Sequence, residues 1–389
     1  MEGDSVLFRG VTLLSPSGAL RAQQVRYCGG RILSVASGLS PERGERVVEG
    51  EGDWLLPLVL DLHVHGGGGF SFLCEGEDLG VNVANVRLAC KAQFFGGTGW
   101  LLATLPLSSP EAWHRSLEAI EKAIEQQRVE GLAEARIEGV YLEGPFLNPQ
   151  MAGGMEGEIV SLWSFPLFED LLERFKGLVK VVTLAPEHPL SERLLSLAER
   201  CGARVFLGHS SATFQQASRA FELGASGVTH LFNAMAPYHH REPGIVGASL
   251  LSRVPCEMVA EPSHLHSASW QLAVKLKGEN GVVAVSDGSP LACGREEVMS
   301  WMGERLERSG TASTREDGRL CGTAVSLLQG LALLSRKGGL PLHQGMRMAT
   351  ENPSRLLGLR LSPFLARGYR GPVALLRMGF EVPEVEVFV

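Results

Sequence analysis

The chain has 389 residues, of which 44% are hydrophobic and 20% are charged. This composition is typical of a globular protein with room for one large domain and a smaller one. A net charge of −7, from 36 basic and 43 acidic residues, argues against nucleic acid or an anionic membrane as a partner.

Three further features concern location. The start, Met1 to Asp4, lacks the basic and apolar segments of a signal peptide. No uninterrupted apolar stretch has the roughly 20 residues that a membrane helix needs. The seven cysteines are odd in number, scattered, and never spaced as Cys-x-x-Cys. They fit small buried residues of a cytosolic protein better than a disulfide framework, so we expect a cytoplasmic location without a membrane partner.

Short strands separated by Gly and Pro are predicted at the beginning of the chain, and strand character returns in the last residues. The predicted strands of the head are 5–11, 24–27, 31–35 and 46–49, and those of the tail are 372–377 and 385–389. Because both ends have the same character, we expect them to meet in one small β-sandwich domain. The predicted division is 1–55 plus 359–389 for the small domain and 56–358 for the large one.

The large central part alternates apolar strands with helix-like stretches. Its predicted strands are 58–65, 100–105, 137–142, 179–184, 204–207, 227–229, 257–260 and 282–286. Its predicted helices are 83–95, 110–127, 162–175, 190–199, 213–223, 268–277, 324–335 and 343–349. Eight strand–helix alternations predict an α/β fold of the (β/α)8 TIM-barrel type.

Histidines and acids stand where five of the predicted barrel strands end, which is the face where barrel enzymes carry their active sites. His63 and His65 lie two residues apart and so point to the same side of a strand. The other strand ends carry Glu143, His209, His230 and Asp287. Imidazole and carboxylate without paired cysteines suit Zn, with Fe or another first-row divalent ion as alternatives. Each residue taken alone could instead be a hydrogen-bonded structural group, and Asp287 a helix N-cap.

A bound metal would lower the pKa of a water and polarise a carbonyl oxygen. Asp287, at the last barrel strand, is the natural acid/base for such a reaction: it takes a proton from the attacking water and returns it to the leaving group. The sequence therefore predicts a metal-dependent hydrolase.

Several segments carry a family resemblance. They are DLHVHG (61–66), LEGPFLNP (142–149), TLAPE (183–187), GHSSAT (208–213), THLFNAM (229–235), REPG (241–244), SD (286–287) and NPSRLLG (352–358). In their order and identity they resemble the amidohydrolase superfamily and, within it, the N-acetylglucosamine-6-phosphate deacetylases. The matches run through almost the whole predicted barrel, whereas the head and tail match only in character.

The resemblance implies a role for each matched position. Glu143, His209 and His230 would bind the principal metal, and His63 with His65 would serve a second site that some members lack. Asp287 would be the general acid/base.

The resemblance also implies how the substrate is held. Asn233, Ala234 through its backbone N–H, and Arg241 would bind the sugar phosphate, and His264 would lie beside the acyl group or hydroxyls. The implied reaction releases acetate from N-acetylglucosamine 6-phosphate and leaves glucosamine 6-phosphate, in the catabolism of amino sugars. The implied assembly is a homodimer with each active site near the interface. His239 and His240 precede Arg241 in the sequence and could help to bind a phosphate, in their own subunit or in a partner subunit.

Four loops depart from the usual pattern of that family. Glu261-Pro262 replaces Asp-Gly before His264, and the stretch QMAGGM (150–155) lacks the usual basic residue and histidine. The stretch GSPLACG (288–294) replaces an Ala-rich segment, and the Gly-rich turn before Phe70 lacks an acidic residue. All four are expected in substrate loops, so they bear on the identity of the sugar more than on metal-dependent hydrolysis.

Two alternatives remain open at this point. The chain could hydrolyse a different amide, such as another acylated amino sugar, an N-acyl amino acid or a cyclic ureide. Cyclic-amide members typically use a carbamylated lysine, and the corresponding strand end here offers Glu143 instead. The barrel could also be a non-catalytic scaffold, which would be expected to have lost some of the ligands or the acid.

Overall fold

The computed structural model describes residues 5–16, 18–131 and 133–389. The first four residues, on which the expectation of no signal peptide rests, lie outside the described residues. None of the described helices combines the length and the apolar character that are needed to cross a bilayer.

The head of the chain forms five strands. They are β1 (Ser5–Ser15), β2 (Gly18–Cys28), β3 (Arg31–Ala36), β4 (Arg46–Glu49) and β5 (Trp54–Pro57). Two strands of the tail, β20 (Val373–Arg377) and β21 (Glu384–Phe388), join them in a seven-stranded sheet, ordered β21-β20-β5-β1-β2-β3 with β4 beside β1. Residues from both chain ends, including Phe8, Tyr27, Leu375 and Phe388, form its hydrophobic core. The predicted meeting of the two ends is therefore observed.

Eight parallel strands form the second sheet. They are β6 (Val59–Val64), β9 (Thr98–Leu105), β10 (Arg136–Leu142), β11 (Val179–Leu184), β12 (Arg204–Leu207), β13 (Gly227–Val228), β14 (Cys256–Val259) and β15 (Val282–Val285). Neighbours in the sheet are neighbours in sequence. The first and last strands meet through a parallel bridge between Val64 and Gly288, which nearly closes the barrel. The predicted fold class is confirmed.

Helices cover this barrel on the outside. They are α1 (Leu79–Phe95), α2 (Pro110–Glu130), α3 (Phe165–Arg174), α4 (Ser191–Cys201), α5 (Phe214–Glu222), α6 (Gly244–Leu251), α7 (Ser267–Lys277), α8 (Leu327–Arg336), α9 (Leu342–Met348) and α10 (Glu351–Leu357). Helix α3 begins three residues later than predicted, because Ser164 accepts a hydrogen bond from the Leu167 N–H and Pro166 occupies the first turn. The preceding residues, Gly157–Leu162, form a 3₁₀ helix.

Six short strands complete the structure. Strands β7 (Gly66–Gly67) and β8 (Phe70–Ser71) form a small ribbon after the first barrel strand. Strands β16 (Val298–Trp301), β17 (Glu304–Ser309), β18 (Ala312–Arg315) and β19 (Leu320–Thr323) form an antiparallel sheet between the last barrel strand and α8. This antiparallel sheet is not predicted from the sequence, and it forms one wall of the candidate site.

Candidate active site

His63 and His65 lie where the barrel closes. His63 is the penultimate residue of β6 and is fully buried, and His65 follows the strand. The Asp287 N–H donates to the His63 carbonyl at 2.9 Å, and the His65 N–H donates to the Gly288 carbonyl at 2.8 Å. These two backbone bonds bring the first and last predicted strand ends side by side.

Three side chains converge on one point at the adjoining strand ends. Oε1 of Glu143 lies 2.8 Å from Nε2 of His209 and 2.9 Å from Nε2 of His230. The two imidazole nitrogens are themselves 3.0 Å apart. Three buried donor atoms that face each other in this way form an arrangement that a shared cation would satisfy.

Asp287 and the first two histidines form a second cluster beside the first. Oδ1 of Asp287 lies 3.2 Å from Nε2 of His65 and 3.6 Å from Nε2 of His63. The same His63 nitrogen lies 3.5 Å from Oε1 of Glu143, so His63 stands between the two clusters. Two sets of donor atoms, each within 4.8 Å of one another, could hold a metal ion: His63 with Glu143 and His230, and His63 with His65 and Asp287.

The chemistry of these donors fits a divalent first-row metal. The set contains imidazole nitrogens and carboxylate oxygens. The Nε2 atom of His63 is buried, yet it has no hydrogen-bond partner among the described residues. Such an atom requires an explanation, and an ion is one that satisfies it. Nδ1 of His209, on the far side of its ring, lies 2.8 Å from the Met151 carbonyl, which orients the ring with Nε2 toward the cluster.

The electrostatics of the cluster are dominated by the close pairing of acids and imidazoles. Burial acts to raise the pKa of Glu143, but His209 and His63 outweigh it and hold that pKa well below its ordinary value. The same competition, decided by His65 and His63, lowers the pKa of Asp287. Burial acts to lower the pKa of His63, yet its acidic neighbours, Glu143 foremost, raise it to about 10. Both carboxylates are therefore held ionised.

A buried polar network contacts His63 at Nδ1, the ring nitrogen that faces away from the cluster. Oε2 of Glu257, on β14, lies 3.3 Å from Nδ1 of His63 and accepts a hydrogen bond from the Tyr141 hydroxyl at 3.3 Å. The Tyr141 hydroxyl also lies 2.7 Å from Oγ1 of Thr229. Glu257 is not among the residues predicted from the sequence, because it lies within a strand instead of at the strand end. A lone acid in the apolar run Cys256–Ala260 was the signal that could have revealed it.

The metal-ligand candidates open into a cavity of about 320 Å³. Its lining contains Asn233, Ala234 and His264, three of the four residues predicted to contact substrate. Arg241, the fourth, does not line this cavity: it is exposed, with Nη1 3.1 Å from Nε2 of His240. Further lining comes from the loop after Pro149 and from the unpredicted antiparallel sheet: Ala152, Gly153, Gly154, Met155, Trp301, Arg319, Leu320, Cys321 and Gly322.

His264 is held toward the cavity by the altered residue Glu261. Oε2 of Glu261 lies 2.9 Å from Nδ1 of His264, and Oε1 accepts a hydrogen bond from the Thr311 hydroxyl. Burial acts to raise the pKa of Glu261, but these two partners lower it to about 2. Nε2 of His264 is buried without a partner among the described residues, so it is available to a bound molecule.

No family model matches the chain. Comparison with individual proteins finds N-acetylgalactosamine-6-phosphate deacetylase of Escherichia coli O157:H7, 30% identical over 97% of this chain and 97% of that protein. N-acetylglucosamine-6-phosphate deacetylase of Bos taurus is 32% identical over 88% of this chain and 84% of its own. Among solved structures, N-acetyl-D-glucosamine-6-phosphate deacetylase from Mycobacterium smegmatis superimposes with a TM-score of 0.80 at 25% identity, covering 99% of this chain and 100% of that one.

Proposed function

Because the chain belongs to the N-acetylglucosamine-6-phosphate deacetylase family of the amidohydrolase superfamily, we propose that it hydrolyses the acetamide of N-acetylglucosamine 6-phosphate. The reaction consumes water and releases acetate and glucosamine 6-phosphate. The observation that carries the proposal is the convergence of Glu143, His209 and His230 within 3.0 Å of one another, beside Asp287 and at the inner end of a cavity of small-molecule size.

The three converging residues would hold the principal metal ion, and His63 with His65 would hold a second ion where one binds. Zn is the metal that we propose, with Fe or another first-row ion as alternatives. When bound, such an ion supplies Lewis acidity, lowering the pKa of a water and polarising the amide carbonyl. Glu257 and the Met151 carbonyl hold His63 and His209 in the ring orientations that ligation requires.

Asp287 would carry the proton through the reaction. Its carboxylate is ionised beside His63 and His65, and so it can accept a proton from the attacking water as the new C–O bond forms. It then returns that proton to the nitrogen as the C–N bond breaks, so that the amine leaves in neutral form. His264, with Nε2 facing the cavity, is positioned to donate to or accept from the sugar or its acyl group.

Asn233 and the Ala234 N–H would bind the substrate from the part of the cavity wall that follows His230 in the sequence. The Ala234 N–H makes no hydrogen bond within the described residues, and both residues line the cavity. Arg241 lies outside the cavity of its own chain. We therefore infer that it acts from the partner subunit of a homodimer, where its planar guanidinium suits a phosphate group.

Two further proposals concern organisation and location. We infer that residues 1–55 and 359–389 form one domain and residues 56–358 the other. We also infer a cytoplasmic location, because Cys74, Cys90, Cys201, Cys256, Cys293 and Cys321 are free thiols, as expected in a reducing compartment.

Acetate release from metal-loaded protein tests the proposed function. We expect turnover of N-acetylglucosamine 6-phosphate and much slower turnover of the unphosphorylated sugar. The 4-epimer, N-acetylgalactosamine 6-phosphate, belongs in the same assay because it is named in the description of the Escherichia coli relative. Faster turnover of the epimer would change the sugar assignment, and no acetate from any of the three sugars would refute the proposal.

A further inference from the structure

Arg319 stands at the mouth of the cavity on a turn of well-defined shape. The turn joins β18 to β19. The Arg315 N–H donates to the Arg319 carbonyl and the Gly318 N–H donates to the Arg315 carbonyl, both at 2.9 Å. Gly318 has a φ of 83°, a left-handed conformation that glycine adopts without strain. The backbone of the turn therefore fixes where the arginine side chain starts.

The guanidinium is held on two of its edges. Nη1 donates to the Gly153 carbonyl at 3.2 Å, across the cavity mouth, and Nε donates to Asp317 at 2.5 Å. Nη2 makes no hydrogen bond to the residues that the structure describes. The guanidinium is thus oriented before any ligand binds, and one donor edge is left for a bound group. The Arg319 side chain remains 47% exposed.

Gly153, whose carbonyl accepts the hydrogen bond from Arg319, lies next to the predicted phosphate site. A Cβ placed on Gly153 would lie 3.6 Å from Cβ of Ala234 and 3.8 Å from Cε1 of His209. Arg319 is thus bonded to a residue that lies beside Ala234, and both Arg319 and Ala234 line the same cavity.

The charge distribution along the cavity points in the same direction. Glu143 and Asp287 lie at the inner end, where their side chains are 5% and 15% exposed. Among the described residues that line the cavity, Arg319 is the sole lysine or arginine. The loop residues that line the cavity, Ala152, Gly153, Gly154 and Met155, carry no charge. An acetamide at the inner end places the 6-phosphate of the same sugar toward the mouth, because C2 and C6 lie on opposite sides of the ring.

We propose that Arg319 binds the phosphate of the substrate from within the same chain and so sets the preference for a phosphorylated sugar. This inference rests on the proposed function. Asp317 withdraws part of the positive charge but fixes the guanidinium plane, and a dianionic phosphate provides more acceptor oxygens than the free donor edge requires.

Kinetics with paired substrates test this role. Arg319→Ala is expected to reduce kcat/KM for N-acetylglucosamine 6-phosphate by about 10- to 100-fold, mainly through KM. The value for unphosphorylated N-acetylglucosamine should stay within about twofold of wild type. Arg319→Lys keeps the positive charge but not the planar guanidinium. Its kcat/KM for the phosphorylated sugar should lie between the values for wild type and Arg319→Ala. Arg305→Ala, an exposed arginine of the same sheet that pairs with Glu307, removes the same charge and should leave both values unchanged.

A binding measurement separates this inference from the proposed function. Calorimetry with metal-loaded protein compares glucosamine 6-phosphate with glucosamine, and it requires no turnover. If wild type releases no acetate but Arg319→Ala selectively weakens the phosphorylated ligand, the reaction assignment fails and the role of Arg319 stands. An equal loss for both ligands, or no loss for either, would overturn the role of Arg319 whether or not the enzyme is active.

Discussion

His209, His230 and Asp287 share an uncommon backbone conformation. Their φ values are 47°, 28° and 51°, in a region that residues other than glycine seldom occupy. Each lies two residues after the last residue of its strand, so the left-handed step turns the side chain from the barrel wall toward the cavity. Such conformations cluster at functional sites, where the surrounding structure holds them. The site thus depends on the backbone as much as on the ligand identities.

Substitution of Glu257 tests whether the buried network positions His63. Glu257→Gln keeps the size of the side chain but removes the charge that faces Nδ1 of His63. We expect a 10- to 100-fold loss in metal affinity or in kcat, as is typical when a carboxylate behind a ligating histidine is removed. Metal content and kcat should be measured on the same sample. Glu125→Gln, on the exposed face of α2, is the control; equal behaviour of the two variants would show that Glu257 does not act through His63.

The single residues differ in how far the sequence could predict them. The rule that catalytic groups stand at strand ends selected His63, Glu143, His209, His230 and Asp287, and the structure brings them together. That rule did not select Glu257, because Glu257 lies inside a strand and contacts His63, a candidate metal ligand. Arg319 was not selected either, because its turn lies at the cavity only as a result of tertiary packing, which no local sequence pattern encodes.

At the level of secondary structure, a buried carboxylate adds side-chain hydrogen bonds to the backbone bonds that join the first and last barrel strands. Oδ2 of Asp61 on β6 accepts a hydrogen bond from the Ser286 hydroxyl at 2.5 Å, and Oδ1 accepts from the Ser286 N–H at 3.2 Å. Burial raises the pKa of Asp61 to about 6, although these bonds oppose it. Asp61 thus ties the strand that carries His63 to the segment that carries Asp287.

The barrel strands could be predicted because their burial on both faces leaves continuous apolar runs. The antiparallel sheet from Val298 to Thr323 could not, since its strands are short, carry exposed charges and lack sustained alternation. Tertiary contacts specify this sheet instead. The buried Arg315 donates a hydrogen bond to the Trp301 carbonyl at 2.8 Å, and the Thr311 hydroxyl donates one to Glu261.

The pairing of Arg26 on β2 with Glu45 predicts a pH dependence of stability. The side chain of Glu45 is 1% exposed, and Nε of Arg26 donates to its Oε1 at 2.8 Å. This hydrogen bond lowers the pKa of Glu45 from 4.5 to about 2, although burial opposes it. Because the folded pKa lies below the unfolded one, the stabilisation is complete above pH 4.5 and is lost as the pH falls toward about 2.

Glu45→Gln should therefore reduce the free energy of unfolding at pH 7 by about 2 kcal/mol. The difference from wild type should shrink as the pH falls below 4.5. Urea denaturation across this pH range measures it. The control is Glu49→Gln, on β4 of the same sheet, which breaks an exposed pair with Arg9 and should cost less than about 1 kcal/mol at any pH. A pH-independent difference for Glu45→Gln would contradict the assignment.

At the level of the whole molecule, the chain ends and the barrel are linked covalently and by packing. The head leads from β5 through a single residue into β6, the strand that carries the first histidine. The tail returns to pair β20 with β5 in antiparallel register, from Val373 opposite Pro57 to Leu376 opposite Trp54. The similar strand character of both ends predicted their meeting, but not the register, which long-range pairing decides.

Mixed subunits test whether Arg241 serves the partner's site. If the chain forms the proposed homodimer, Arg241→Ala and Asp287→Asn should each be strongly impaired when expressed separately. In a co-expressed heterodimer, one site would have an intact Asp287 and an intact Arg241 from the other chain. We therefore expect activity to recover to about half of one wild-type dimer, since one of two sites is complete. No recovery in a purified heterodimer would show that Arg241 acts within its own chain or not at all.

We propose that Asp287 transfers protons beside a metal ion held by Glu143, His209 and His230. Turnover of N-acetylglucosamine 6-phosphate by Asp287→Asn, with metal content determined on the same sample, tests it most directly. We predict that the variant retains the principal metal and that kcat falls by about 10²- to 10⁴-fold, the range expected for loss of a general acid/base. If metal-loaded Asp287→Asn protein turns over substrate within a few-fold of wild type, Asp287 is not the general acid/base.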